Sequence, residues 1–240
     1  TIAAGSGTGK STICREFAHH FLKNKLTVGY IALEESVQRT MQGILGIELN
    51  KPLHLEDNIE DIDELKVAFD RLFGTEKLFL YDHFGSLDPD RLIEQIQYMA
   101  TAEGVDVVIL DHLTIVVSGL ADVDERRAID ITCTKLRQVV ESTGVALILV
   151  SHLRRPQGIS HEQGQQVSTS DLRGSSGILQ LSDLCISAER NQQGDPGERS
   201  ELQLRVLKNR HTGMTGPVDK LLYDENTGRL SIPMSTYFGA

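Results

Sequence analysis

Cysteine is scarce in this sequence: the 240 residues contain three, Cys14, Cys133 and Cys185, and no two of them form a C-x-x-C pair. This scatter argues against a disulfide framework and against a zinc site. No apolar run approaches the roughly 18 residues of a membrane span, and no signal-peptide profile is present. We therefore expect a protein of the reducing cytoplasm that makes no membrane contact.

Basic side chains are also outnumbered, with 24 Lys and Arg against 34 Asp and Glu, a formal net charge of -10. A chain with this balance does not bind nucleic acid over its whole surface. Any contact with DNA must therefore be local. The length is sufficient for one large α/β domain without stabilising metals or disulfides.

Apolar runs of strand length alternate with segments of helical spacing, a pattern that predicts a mostly parallel sheet covered on both faces. The predicted strands are residues 27–33, 77–82, 105–110 and 145–151. The predicted helices are residues 10–24, 88–104 and 122–144, the last two ending at Gly104 and Gly144, where a left-handed cap is expected. Alternating stretches at 200–210 and 218–232 predict a C-terminal antiparallel extension of the sheet. Residues 153–177 form a polar, glycine-rich loop whose length is typical of functional loops.

A glycine-rich stretch, AAGSGTGKSTI, occupies residues 3–13. It matches G-x-x-x-x-G-K-[ST] except that Ala4 replaces the first glycine. Such a loop directs backbone amides at phosphates, and the following helix adds its positive end. Lys10 is predicted to reach the β and γ phosphates, and Ser11 to hold Mg²⁺. The predicted nucleotide-binding residues here are Gly5, Ser6, Gly7, Thr8, Gly9, Lys10, Ser11 and Thr12.

The strand that normally precedes such a loop has only Thr1, Ile2 and Ala3 to form it. We therefore expect the chain to be an N-terminally incomplete record of a longer protein. The acid that accompanies the loop is predicted to be Asp111, at the end of the apolar run VVIL, where its carboxylate would lie beside the metal.

Two carboxylates, Glu34 and Glu35, follow the strand at 27–33. Successive residues point to opposite sides, so we expect one to face the γ-phosphate and activate water, and the other to be solvated. The alternative is an ordinary acidic pair at a helix N-terminus. His152 ends the strand at 145–151 and is a candidate γ-phosphate sensor, although a histidine often simply ends a strand.

Several longer motifs resemble one family: GSGTGKST, ALEES, VVILDHLTIVVSG, STGVALILVSHL, ERNQQGD and LKNRHTG. Together they resemble the helicase half of the T7-type phage primase-helicases, within the RecA-like ring helicases that include the bacterial replicative helicase and Twinkle. The resemblance implies one RecA-like P-loop NTPase domain over residues 1–240. It also implies a homohexameric ring that encloses single-stranded DNA and moves 5′ to 3′ by hydrolysing ATP or a dNTP with Mg²⁺. A primase domain or replisome proteins would be partners, in the bacterial host cytoplasm if a phage encodes the chain.

Residue by residue, the resemblance makes Glu34 the catalytic base, Asp111 the magnesium-side acid and His152 the γ-phosphate sensor, with Lys10 on the phosphates. Gln180 matches a polar residue near the sensor. Arg190 and Tyr223 match the pair that sandwiches the nucleotide base, a contact tolerant of base identity.

The resemblance also implies an arginine finger from the neighbouring subunit at Arg210, with Lys208 on the same face of its strand. The alternative for both is a solvated edge strand, where cations deter aggregation. DNA contact is implied at Arg154 and Arg155, which hold the position of a lysine-bearing loop. Leu179 replaces an arginine of the phage proteins, and residues 46–58 lack the arginines placed near the sugar, so nucleotide preference does not transfer.

Two other functions share parts of this pattern. A RecA-type recombinase that forms a nucleoprotein filament would also need the glycine loop, the acid and mobile channel loops. ERNQQGD and LKNRHTG favour the ring helicase over it. A small-molecule kinase would need an arginine-rich lid and an acceptor-substrate pocket, and neither is evident in the sequence.

Overall fold

A computed structural model describes residues 1–55, 61–118, 125–154, 160–172 and 176–233. Within these residues nine strands form one sheet in the order β3-β2-β4-β5-β1-β6-β7-β8-β9. The strands are β1 Ile2–Ala4, β2 Val28–Ala32, β3 Leu78–Leu80, β4 Val107–Asp111, β5 Ala146–His152, β6 Leu184–Glu189, β7 Glu201–Asn209, β8 Gly216–Asp224 and β9 Arg229–Ser231.

Helices connect the parallel strands and cover both faces of the sheet. They are α1 Lys10–Lys23, α2 Val37–Leu49, α3 Ile62–Phe73, α4 Pro89–Thr101, α5 Leu113–Ser118, α6 Glu125–Thr143, α7 Ser176–Leu181 and α8 Pro196–Ser200, with a short 3-10 helix at Thr169–Asp171. Side chains cap several of them: Ser36 begins α2, Asp61 begins α3, and Asp88 followed by proline begins α4. Among the described residues, no helix is long and apolar enough to cross a bilayer.

The sheet has a parallel part and an antiparallel part. Strands β3, β2, β4, β5, β1 and β6 are parallel, and β7, β8 and β9 extend the sheet in antiparallel order. This confirms the predicted α/β fold, its four predicted strands and its C-terminal β extension. Because the parallel strands share one direction, their carboxyl ends meet at one edge: Ala4 pairs with His152, and Ala32 pairs with Asp111.

Alternation along the central strands produces two cores, one on each face. Tyr30 and Ile109 pack toward α1 and α2, and their neighbours Ile31 and Leu110 pack toward α4 and α6. All four side chains are buried. Strands buried on both faces lose their polar alternation and become continuous apolar runs, which is why these two were recognisable from the sequence.

The predicted helix ends agree with the structure to within a few residues. Gly144 follows the last residue of α6 with φ 76°, a left-handed conformation that glycine adopts without strain. Gly104 is also left-handed, at φ 65°, but α4 already ends at Thr101. Strand β6 was not predicted. The predicted start of α6 at residues 122–124 lies outside the described residues.

Candidate functional site

The glycine-rich loop joins the end of β1 to the start of α1. Gly7 and Gly9 have φ values of 65° and 102°, so the loop turns through conformations that other residues adopt only with strain. Helix α1 begins at Lys10 and runs for 14 residues, so its unpaired N-terminal amides face the loop. The predicted cradle of backbone donors is therefore formed, and its partial positive charge favours an anion such as phosphate.

Lys10 folds back over this loop. Its Nζ donates hydrogen bonds to the carbonyl oxygens of Gly5 (2.6 Å) and Ala4 (3.4 Å), and the residue is 7% exposed. Burial lowers the pKa of this ammonium, while the charges of Asp111 and Glu34 act in the opposite direction. A cation held at the loop by neutral carbonyls is suitably placed to exchange those contacts for phosphate oxygens.

Ser11 and Asp111 provide two oxygen ligands at the carboxyl edge. Ser11 Oγ donates to Asp111 Oδ2 at 2.7 Å, although the two residues are 100 positions apart. Burial raises the pKa of Asp111, and the bond from Ser11 acts in the opposite direction. A hydroxyl beside a carboxylate suits Mg²⁺, which prefers oxygen ligands and a nucleotide phosphate as co-ligand. A cavity of about 430 Å³ adjoins this pair and is also lined by Glu34, Arg39 and Phe84.

The two carboxylates after β2 have different surroundings. Glu34 is exposed at the carboxyl edge, with its Oε1 3.1 Å from His112 Nε2. Glu35 instead accepts from Arg15 Nη2 at 2.5 Å and from Thr40 Oγ1 at 2.8 Å. The expectation that the second carboxylate is solvated was wrong, because the side chain of Glu35 turns toward α1, where Arg15 is buried. Both glutamates line the cavity beside Ser11 and Asp111, but Glu35 is held by Arg15 and Thr40, so Glu34 is the exposed carboxylate of the pair.

Two histidine rings meet beside Glu34. His112 follows Asp111, and its ring centroid lies 4.0 Å from that of His152 at an interplanar angle of 72°. One ligand atom each from Glu34, His112 and His152 lie within 4.8 Å of one another. His152 thus lies at the predicted edge, and His112 is a neighbour that the sequence reasoning missed.

Two further segments cover the glycine-rich loop, and sequence reasoning did not predict them. Gln192 Nε2 donates to the Ser6 carbonyl at 2.9 Å, and the backbone amide of Gln192 donates to the Glu162 carbonyl at 2.8 Å. His161 is 6% exposed and packs against Gly5, where a Cβ would lie 3.1 Å from the His161 Cβ. The only sequence signal for this cover was the position of Gln192 in the ERNQQGD motif.

Arg190 and Tyr223 lie at the same edge of the sheet as the loop. The Arg190 guanidinium carbon is 5.7 Å from the centroid of the Tyr223 ring, within cation-π range. Arg190 Nε also donates to the carbonyl of Arg199. The predicted pair is therefore brought together in direct contact, and a planar base between the two groups would require them to separate.

Lys208 and Arg210 lie at the opposite edge, where β6 begins. Lys208 Nζ donates to the carbonyl oxygens of Leu179 (2.6 Å) and Gln180 (2.9 Å). Arg210 donates to Gln180 O at 2.9 Å and to Asp183 Oδ1 at 2.8 Å. Both side chains donate to the carbonyl oxygen of Gln180, so they lie on the same side of the strand, as predicted. The length of β6 separates this cluster from the loop by roughly 17 Å, since the strand has six residues and each step between neighbouring residues is about 3.3 Å.

The predicted DNA-contacting residues follow β5. Arg154 is exposed, and its backbone amide donates to the Asp171 carbonyl at 2.7 Å. Leu153, directly after β5, and Leu172, directly after the 3-10 helix, form an isolated antiparallel bridge, so these two parts of the chain lie side by side. Arg155 lies outside the described residues. Leu179 packs with a small apolar cluster that includes Leu153 and Cys185, which explains an aliphatic residue at this position.

The glycine-rich loop with its lysine, the Ser11–Asp111 pair and Glu34 all meet at the carboxyl edge of a parallel sheet with the central order β3-β2-β4-β5-β1. This arrangement defines the class of RecA-like P-loop NTPase domains.

Comparison with known proteins gives the family. The model of the DnaB-like helicase C-terminal domain matches residues 1–231, so the chain belongs to that family. It is 42% identical over 250 aligned residues to the DNA helicase/primase of Enterobacteria phage T3, covering 99% of this chain and 42% of the relative. It is 23% identical over 240 residues to a probable plasmid replicative DNA helicase of Chlamydia psittaci, covering 96% of this chain and 50% of the relative. The chain thus spans half or less of the length of these relatives.

Solved structures show the same fold. One, described as an ATPase domain, superimposes with a TM-score of 0.79 at 20% identity, covering 97% of this chain and 83% of that chain. A DnaB-like replicative helicase, described with its interactions with primase, superimposes with a TM-score of 0.78 at 18% identity, covering 95% of this chain and 56% of that chain. Together with the family match, these similarities confirm the predicted family and the RecA-like fold.

Proposed function

We propose that this chain is the motor domain of a replicative DNA helicase that hydrolyses ATP or a dNTP between the subunits of a homohexameric ring and moves 5′ to 3′ on single-stranded DNA. Family membership supports the helicase assignment. The observation that carries the mechanism is the separation of the Lys208–Arg210 cluster from the glycine-rich loop by the length of β6.

This separation matters because one protomer carries both the glycine-rich loop and the Lys208–Arg210 cluster, but at opposite edges of its sheet. Arg210 at one edge cannot reach phosphates at the other edge of its own protomer. In a ring, the edge that carries Arg210 would face the loop of the next protomer. An arginine inserted in this way stabilises the charge that develops on the transferred phosphoryl group and contributes about 10³ to 10⁵ in rate.

The remaining roles follow from position. Lys10 and the loop amides would bind the phosphates, and Glu34, exposed and ionisable, would orient and deprotonate the attacking water. Ser11 and Asp111 would hold Mg²⁺, which neutralises charge on the phosphates. His152 would report the γ-phosphate to the segment that begins at Leu153, where Arg154 and Arg155 would bind the DNA backbone.

The primase-linked relatives support a primase domain or replisome proteins as partners. The bacterial host cytoplasm is the proposed location. A strand-displacement assay distinguishes this function from the alternative, a RecA-type recombinase. The assay compares displacement of a strand from 5′-tailed and 3′-tailed duplexes with Mg²⁺ and nucleotide. Displacement of the 5′-tailed duplex alone supports the proposal, and strand pairing without displacement would favour the recombinase.

Hydrolysis across an interface is tested by mixing. Arg210→Ala and Glu34→Gln subunits, each nearly inactive alone, should regain up to about a quarter of the wild-type turnover when mixed in equal amounts, because a site that takes Glu34 from one subunit and the arginine from the other is intact. The matched control is Lys220→Ala, an exposed cation paired with Glu201 on the outer strands. A mixture no more active than its two components would contradict action in trans.

A further inference from the structure

His112 occupies the middle of three adjacent strand ends. Glu34 follows β2, His112 follows β4, and His152 ends β5, and these strands are neighbours in the order β2-β4-β5. In the order of the strands, His112 is therefore the residue between the candidate base and the candidate sensor. One ligand atom each from these three residues lie within 4.8 Å of one another, so His112 is close to both of its neighbours.

The contacts on the two sides of His112 differ in kind. Toward Glu34 it presents Nε2, 3.1 Å from Oε1. Toward His152 it packs ring against ring in an edge-to-face arrangement at 4.0 Å. The side chain of His112 is 5% exposed, whereas that of Glu34 is 60% exposed. The buried ring is thus confined by packing, and the carboxylate is the partner that is able to rotate.

Neither ring nitrogen of His112 has a hydrogen-bond partner among the described residues. The 3.1 Å distance to Glu34 is short enough for a hydrogen bond, but the two groups are not aligned for one. A buried polar atom without a partner costs on the order of 1–3 kcal/mol. A rotation of the exposed Glu34 carboxylate that aligns Oε1 with Nε2 would remove this cost at Nε2.

We propose that His112 is a positioning residue that couples the sensor to the base: Nε2 donates to Glu34 and orients its carboxylate, and movement of His152 against the ring sets that orientation. The inference rests on the proposed function, since it assigns His112 to the same hydrolysis. No covalent step is involved. His112 would make the base productive only when the sensor is in its γ-phosphate-bound position.

The first test separates rate from binding. His112→Phe keeps an aromatic ring but removes the donor, and should lower kcat about 10- to 100-fold, the cost of misplacing a reacting group by an ångström or less. KM and the Kd of a fluorescent nucleotide should change by less than about twofold, because no phosphate contact is lost. His112→Gln, which keeps an N–H donor, should recover part of kcat. An unchanged kcat in His112→Phe would overturn the proposal.

The second test is a double-mutant cycle with Glu34. In a Glu34→Gln background the carboxylate that His112 orients is gone, so adding His112→Phe should change the residual kcat by less than about twofold. An equal loss in both backgrounds would show that His112 acts independently of Glu34 and would overturn the proposal. The matched control is His19→Phe, since His19 also contacts a glutamate, Glu48, at 2.8 Å but away from this edge. It should leave kcat unchanged.

Folding is monitored by thermal unfolding of every variant. If His112→Phe does not fold, His112→Leu, which also removes the donor, takes its place in both tests. Absence of hydrolysis in the wild type would contradict the proposed function itself. Normal wild-type hydrolysis with no kcat effect at His112 would contradict the coupling alone.

Discussion

Arg15 and Glu35 form an ion pair, 2.5 Å between Nη2 and Oε2, that joins the helix after the phosphate loop to the turn that carries Glu34. The two side chains are 7% and 15% exposed. Gly43 on α2 makes the approach possible, because a Cβ there would collide with the Arg15 guanidinium. The pair thereby fixes the direction of Glu35 and leaves Glu34 pointing into the site.

Removing one partner of this pair should be strongly destabilising. Arg15→Met leaves Glu35 as an uncompensated buried charge and is expected to lower the free energy of unfolding by about 3–5 kcal/mol in urea titrations. The double variant Arg15→Met, Glu35→Gln should lose less than the single variant. If the double variant loses as much as the single one, the cost comes from packing and the charge argument fails.

Glu34→Gln should stop turnover while leaving nucleotide binding intact. The amide keeps the size of the side chain but cannot accept a proton from water, so we expect a loss of about 10²- to 10⁴-fold in kcat. The Kd of a fluorescent nucleotide should stay within about twofold of wild type. A variant that turns over at the wild-type rate would assign the base elsewhere.

Arg154→Ala should weaken single-stranded DNA binding by about the same factor for every sequence tested. A phosphate contact carries no base information, so its loss should also reduce the slope of log K against log salt by about 0.7 for each phosphate released. Fluorescence anisotropy at several salt concentrations measures both effects. Lys220→Ala, which removes an exposed cation from the outer strands, should leave the slope unchanged.

His54 should make stability depend on pH in mildly acidic solution. Burial lowers the pKa of His54 to about 4, and the positive charges of Arg15 and Arg39 contribute in the same direction. An unfolded histidine titrates near 6.5, so between about pH 6.5 and 4 the unfolded chain binds more protons than the folded one. Stability should therefore fall as the pH drops through this window.

The His54→Asn variant should show a shallower slope of unfolding free energy against pH in that window. An NMR titration of the His54 ring provides the direct check, with an expected midpoint near the low folded value. A midpoint close to about 6.5, the value of an unperturbed histidine, would remove the basis of the prediction.

The parts of this fold that could be predicted are those encoded by continuous patterns. Strands β2 and β4 are buried on both faces, so residues 27–33 and 105–110 are largely apolar. The loop at residues 3–13 has a fixed spacing because its backbone geometry demands glycine. Strand β6 was missed because Leu184–Glu189 mixes serine and glutamate with apolar residues, and its burial comes from pairing with β1 and β7.

The site residues that follow or end a single strand could be predicted from the sequence. Contacts between segments that are distant in the sequence could not. Glu34, Asp111 and His152 each end an apolar run and were recognisable individually. The Arg15–Glu35 pair and the cover that Gln192 places on Ser6 join residues 20 and 186 positions apart. His112 has no spacing signal at all, since its role depends on which strands are neighbours in the sheet.

Strands β6 and β7 connect the phosphate loop to Arg210. The ERNQQGD segment after β6 rests on the phosphate loop through Gln192, and the far end of β7 leads to Arg210. Because β6 is also paired with β1 and β7 with β8, this connection is part of the continuous sheet and holds the arginine at a fixed distance from the phosphate loop of its own protomer. In the proposed ring, each subunit would then present its arginine to the next pocket at a spacing set by its own sheet.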